Sequence, residues 1–180
     1  AVLILDEVQT GLGRTGSLWF HTQEGVAPDI VVTGKGLSGG LYPIAATMMT
    51  AELYSLFDRH PFVHISTFGG AELGCIAALA ALDVIEEPGF LDRVEVVGRR
   101  LEEGLAGLGA QIRRRGLFIG MRFDDPSGGI LAAQRLVRAG VFALFANNDQ
   151  SVLQCLPPLV ITDDETSWLI ATTRDALAMR

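Results

Sequence analysis

Apolar and polar positions fall into blocks along the chain, and the blocks change character near Pro88-Gly89. Val2 to Leu5 is a continuous apolar run closed by Asp6-Glu7, the pattern of a buried parallel strand. Asp29 to Thr33 (DIVVT) and Ile44 to Met49 (IAATMM) repeat it. A helix is expected over Ala51 to Arg59. A longer one is expected over Ala71 to Glu87, with Leu73, Ile76, Ala77, Ala80 and Val84 on one face. Pro88-Gly89 breaks the pattern and sets a domain boundary, residues 1–88 against 89–180. Beyond it, Phe90 to Leu108 has helical period, with Leu91, Val94, Val97, Leu101, Leu105 and Leu108 inward. Its polar face carries Arg93, Arg99, Arg100, Glu102 and Glu103. Ile112 to Phe123 reads as a strand or strand pair around Gly116, and Ile130 to Ala139 as a helix. Val141 to Phe145 and Val152 to Leu156 read as short strands, the second stopped by Pro157-Pro158. A last helix starts at Thr162, where Thr162 and Glu165 have the spacing of a capping box. Strands mixed with helices and no βαβ regularity predict a small α+β domain for the second half.

Composition narrows the partners. The chain has 180 residues, 49% apolar and 19% charged, so a sizeable core is available and global disorder is excluded. A formal net charge of −7, from 14 Lys+Arg against 21 Asp+Glu, argues against nucleic acid or an anionic membrane as main partner. No apolar run reaches transmembrane length without a Gly, Pro or charged interruption. Cys75 and Cys155 supply neither a disulfide framework nor a paired metal spacing, which points to a reducing cytoplasm. His21, His60 and His64 have no metal-ligand spacing, and structural roles are expected for them. AVLILDE has no initiator Met and no basic n-region, and it opens inside a strand. The expectation is a fragment whose N-terminal part is missing.

Residues 5 to 16, LDEVQTGLGRTG, hold competing signatures. Gly11, Gly13 and Gly16 spell G-x-G-x-x-G, but DEVQT separates them from the strand, and Asp29 begins the next strand rather than ending it. A dinucleotide fold needs the glycines directly after its strand and the acid about 20 residues on. Asp6-Glu7 after an apolar strand resembles a Walker B, and Leu37 to Gly40 (LSGG) a transporter-ATPase signature. Here LSGG follows the strand instead of preceding it, and Gly34-Lys35 lacks the first Gly and the Ser/Thr of a Walker A. A P-loop ATPase fragment is therefore the weaker alternative. A third grouping uses every piece. Asp6 ends a buried strand, where open α/β sheets place ligand groups, and Gln9 follows it. Lys35 stands between Gly34 and Gly36 after a second strand, and Ser66 to Gly70 (STFGG) offers hydroxyls and amides before a helix, suited to a phosphate. Acid, amine and phosphate cradle are what pyridoxal phosphate requires.

LDEVQTGLGRTG, PDIVVTGKGLSGG, STFGG and LPPLVIT, in that order, resemble the class III pyridoxal-phosphate aminotransferases of ornithine, acetylornithine and putrescine type. The resemblance covers residues 1 to 180. It implies an α/β protein of the type I aminotransferase fold: part of a large, mostly parallel-sheet domain, then a small C-terminal α+β domain. It also implies a homodimer whose active site is shared across the interface. On that pattern Asp6 faces the pyridine nitrogen, Gln9 lies beside the ring hydroxyl, and Lys35 carries the cofactor as a Schiff base. Thr67 binds the phosphate of the cofactor held by the other subunit. The implied activity moves an amino group from a diamine, ω-amino acid or amino acid to a 2-oxo acid. A same-fold aminomutase, epimerase or decarboxylase is the alternative, and a non-catalytic truncated domain the reading from another class.

Other residues carry plainer expectations. Glu7 is expected in a structural salt bridge, and Arg14 to order its own glycine-rich turn. Trp19 and Phe20 are expected in the core or lining an entrance, and Cys75 as a buried small hydrophobe. One departure from the family bears on substrate. Three residues before Pro157, where relatives commonly carry an Arg that grips a carboxylate, this chain has Gln154. Gln donates a hydrogen bond but brings no charge, so Gln154 is a substrate-site candidate that bears on the acceptor class.

Overall fold

In the computed structural model, which describes residues 1–178, β1 (Ile4–Asp6) pairs in parallel with β2 (Ile30–Thr33). β3 (Ala46–Met49) pairs antiparallel on the other side of β2, giving the order β1-β2-β3. The implied mostly parallel sheet is thus represented here by one parallel and one antiparallel pairing. Between β1 and β2 lie a glycine-rich loop and the short α1 (Phe20–Gln23); a 3₁₀ helix (Lys35–Ser38) follows β2 directly. α2 (Ala51–Arg59) and α3 (Glu72–Ile85) complete the first of two compact units, Ala1–Leu91. α2 occupies the residues expected of it, and the three strands are one to two residues shorter than their apolar runs.

The face assigned to α3 requires correction. Leu73, Ile76 and Val84 are exposed, with Leu73 at 68% and Ile76 at 63%, whereas Gly74, Ala78 and Ile85 are buried. Helix α3 is rich in apolar residues all round, so helical period alone does not choose its inner face. Small residues choose it. Leu12, Leu37, Ala78 and Ile85 form one core cluster, and the 3₁₀ helix can approach α3 closely only where the side chains are short. Cys75 lies outside that contact and is exposed, not buried as expected.

The second unit, from Asp92 onward, contains most of α4 (Phe90–Leu105) and a four-stranded antiparallel sheet in the order β4-β5-β7-β6. β4 (Ala110–Arg115) and β5 (Phe118–Phe123) form the anticipated pair, turning at Gly116 with φ +53°. α5 (Gly128–Arg138), β6 (Leu144–Ala146), β7 (Asp149–Cys155) and α6 (Asp163–Ala178) follow. Val94, Val97, Leu101 and Leu105 of α4 are buried, as their period predicts, together with Ile119, Met121 and Leu153 of the sheet. The helix ends at Leu105 rather than Leu108, however, and Leu91 and Leu108 are only half-buried. Helix and sheet meet backbone to backbone: a Cβ on Gly98 would collide with the carbonyl oxygen of Gly116. Arg114 points to the same side and binds Glu95 at 2.9 Å and Glu102 at 2.8 Å, tying β4 to α4. The hydrogen bond from Arg114 holds the Glu95 carboxyl below its ordinary range, against the opposing effect of burial. The capping box at α6 is formed, with the Glu165 amide donating to Thr162 Oγ1 and the Thr162 amide to Glu165 Oε2.

Candidate functional site

Parallel pairing of β1 with β2 sets Asp6 beside Val32, so both strands deliver their C-terminal ends to one edge of the sheet. Asp6 is exposed there, one carboxylate oxygen accepting the Val8 amide at 3.0 Å. Three residues past Val32 the chain turns at Lys35, whose φ is +43°. A left-handed lysine costs roughly 1–2 kcal/mol and persists only where its surroundings impose it. The flanking glycines do not explain the turn by space, since a Cβ on Gly34 or Gly36 would meet nothing nearer than 3.5 Å. From this backbone the Lys35 amine reaches Gln9 and donates to Oε1 at 3.0 Å. Of the chain's 14 lysines and arginines, Lys35 is the one lysine.

Gln9 is held by what precedes and follows it. The amides of Gly11, Leu12, Gly13, Arg14 and Gly16 all donate to carbonyls of residues 7 to 18. Those amides are used within the loop, which is why the G-x-G-x-x-G spacing makes no phosphate cradle here. Gly11 answers to packing instead: a Cβ on it would lie 2.8 Å from the ring of Trp19, which packs against the Leu12 cluster. Glu7 anchors the same loop. It is buried, accepts the amides of Phe20 and His21 at 2.8 Å each, and meets His21 Nδ1 at 2.7 Å. Burial pushes the Glu7 carboxyl up, but the His21 and Phe20 amides and the His21 ring outweigh it, and the net displacement is downward. A depressed carboxyl contributes stability above its unfolded value of about 4.5 and loses it as pH falls through the lower folded value. Protection of the amides in residues 10–21, taken relative to their intrinsic exchange at each pH, should therefore fall below about pH 4.5 in the wild type. In Glu7→Gln that protection should already be low at neutral pH and change little with acid. An acid response equal in both would assign the anchoring to other groups.

Thr67 lies in an exposed turn, in which the Gly69 amide bonds the Ser66 carbonyl at 3.4 Å. It does not cap α3, whose N-cap is Ala71. Gln154 belongs to the second unit, half-buried on β7, opposite Gly120 of β5 and Leu144 of β6. Arg113 stands opposite Gly120 on β4, so one row across the sheet reads Arg113, Gly120, Gln154, Leu144. Gln154 also lines a largely apolar cavity of about 630 Å³. Among the sequence candidates, then, Lys35 and Gln9 are in contact and Asp6 shares their sheet edge. Thr67 is on a separate turn and Gln154 in the other unit. His60 and His64 lie in no cluster able to hold a metal among the described residues. Two contributors were not foreseen, the left-handed backbone at Lys35 and the buried hydroxyl of Ser38. The singular lysine was legible in the sequence as a count.

A family model for aminotransferase class-III matches residues 1–177. An uncharacterized aminotransferase of Archaeoglobus fulgidus is 44% identical over 174 residues, covering 93% of this chain and 41% of its own length. The ornithine aminotransferase of Toxoplasma gondii superposes with a TM-score of 0.88 at 33% identity, over 99% of this chain and 43% of that one. The acetylornithine aminotransferase of Elizabethkingia anophelis gives 0.86 at 32%, over 99% and 48%. The chain belongs to the class III aminotransferases, with the α/β fold of their solved structures, and it spans less than half the length of these relatives. The Toxoplasma enzyme carries PLP at partial occupancy in its active site.

Proposed function

We propose that this chain is the lysine-bearing portion of a pyridoxal-phosphate aminotransferase. The reaction moves an amino group from a diamine, ω-amino acid or amino acid to a 2-oxo acid. Residues 1–88 are read as part of the large cofactor-binding domain and 89–180 as the small domain, within a cytoplasmic homodimer. One observation carries the reading. The single lysine is held in a left-handed turn at the strand edge that also presents Asp6, with its amine on Gln9. Thirteen other cationic positions are arginine, which keeps its proton and makes no reversible bond to an aldehyde.

The donor set fits the cofactor: a carboxylate for a ring nitrogen, an amide for a ring hydroxyl, an amine for an aldehyde. When bound, pyridoxal phosphate supplies a ring that accepts electron density from the substrate carbon. Asp6 would keep a proton on the ring nitrogen, and Gln9 would orient the Lys35 amine and the hydroxyl beside it. Lys35 Nζ would then take the proton from the amine-bearing carbon of the substrate. Thr67 and its neighbouring amides would hold the phosphate of the cofactor in the partner subunit. A panel of ω-amines and 2-oxo acids given to the holoenzyme tests this, with the new amino acid as readout. Racemised, isomerised or decarboxylated donor without amino transfer would overturn it.

Gln154 bears on the acceptor. An arginine there would face no side chain on β5, because Gly120 stands opposite. Gln154→Arg should raise kcat/KM for 2-oxoglutarate by about tenfold or more, since a charge-assisted hydrogen bond is worth roughly 1.5–3 kcal/mol. Pyruvate should gain less. Steady-state kinetics on both variants decide it, and equal gains or none would remove Gln154 from the substrate site.

A further inference from the structure

In the LSGG segment Leu37 and Ser38 are both buried, and Ser38 is the polar one, while the residues after it are not. Ser38 is 1% exposed, whereas Gly39, Gly40 and Leu41 are exposed. Its hydroxyl donates to the Tyr42 carbonyl at 2.5 Å and accepts the Tyr42 amide at 3.2 Å. One side chain thus satisfies both backbone groups of the residue that ends the turn. Within the turn, the Leu37 amide bonds the Gly34 carbonyl, Gly39 bonds Gly36, and Leu41 bonds Ser38. Tyr42 is itself seated: a Cβ on Gly74 of α3 would lie 2.9 Å from its ring, so only glycine leaves room for it. The segment from Lys35 to Tyr42 is closed at one end by β2 and at the other by Ser38.

We infer that Ser38 is a positioning residue for Lys35. By closing the 35–42 turn onto Tyr42, its hydroxyl holds Lys35 in the left-handed backbone from which the amine reaches Gln9. Without that closure only the backbone bonds of the turn itself restrain φ +43°, and Lys35 relaxes to an ordinary right-handed conformation with its amine elsewhere. Ser38 touches neither cofactor nor substrate in this role. The backbone part stands on geometry alone; its consequence for turnover rests on Lys35 being the cofactor-bearing residue proposed above.

The test compares Ser38→Ala with wild type, first as apoenzyme. Hydrogen exchange at Leu37, Gly39 and Leu41 should speed up at least about tenfold, while exchange in Ile30 to Val32 of β2 is unchanged. Acetylation of Lys35 by an N-hydroxysuccinimide ester, quantified in the tryptic peptide Thr15–Arg59, should accelerate several-fold as the amine leaves Gln9. In the holoenzyme, kcat should fall at least about tenfold with KM for the amine donor little changed. Ser38→Cys keeps a weak donor of similar volume and should recover part of each effect; it carries the test if Ser38→Ala does not fold. Gly74→Ala, which displaces the Tyr42 ring while leaving Ser38 intact, should loosen the same three amides. Unchanged exchange and acetylation in Ser38→Ala would overturn the inference, and so would loosening spread evenly through β2. If the apoenzyme behaves as expected but wild type binds no pyridoxal phosphate, Ser38 still positions Lys35 and the functional reading fails instead.

Discussion

Lys35→Ala should abolish amino transfer while the holoenzyme still retains some pyridoxal phosphate. The fall should be about 10³-fold or more, within the range that a positioned proton-transferring group contributes. On the proposed reading two losses combine in this variant: the amine that would capture the aldehyde and the base that would move the substrate proton. Borohydride reduction of wild type should leave the cofactor mass on Lys35. Trypsin does not cut at a modified lysine, so the label belongs in the peptide Thr15–Arg59. In Lys35→Ala the same peptide should carry none, and the visible band that reduction removes from wild type should be missing. Added methylamine should restore a small part of the activity, because it supplies a free amine without the turn that orients Lys35. A label found on another residue, or turnover near wild type, would sink the assignment.

Asp6→Asn should lower turnover at least about 100-fold, the smaller end of what one positioned electrostatic group contributes. The change keeps size and the strand-end geometry, and the side-chain carbonyl can still accept the Val8 amide now bound at 3.0 Å. What it removes is the negative charge. A neutral amide no longer favours the protonated ring nitrogen, and the ring then accepts electron density poorly. Affinity for pyridoxal phosphate should weaken less than turnover, since the contacts proposed for Lys35 and Thr67 would remain. Turnover within threefold of wild type would mean that the ring nitrogen has a different partner.

Most strand and helix positions could be read from the chain because apolar runs and helical periods mark the elements, and Gly, Pro or a cap punctuates many of their ends. β1 and β3, read as buried strands, are nevertheless largely exposed, and α2 buries no residue. The turn at Gly116, the stop at Pro157-Pro158 and the Thr162–Glu165 box are local chemistry, and local sequence carries them. The α4 stripe was equally legible, because its apolar residues share one side and its charges the other. Helix α3 was not. With apolar residues on every side, its inner face followed the shape of the partner, and Gly74 and Ala78 won over Leu73 and Ile76. Cys75 went outward for the same reason.

At the site the division is similar. Which residue types are present, and in what order, was in the sequence: an acid ending one strand, one lysine after the next, and four motifs in family order. Their conformations were not, because backbone strain and hydrogen-bond closure depend on contacts distant in the chain. Glu7 anchors its loop through Phe20 and His21, more than ten residues away. Lys35 finds Gln9 across 26 residues, and its turn, closed locally from Ser38 to Tyr42, is seated against Gly74 of a later helix. The sequence alone determined which groups could do the chemistry; only tertiary packing decided where the lysine points, because no local preference favours a left-handed lysine.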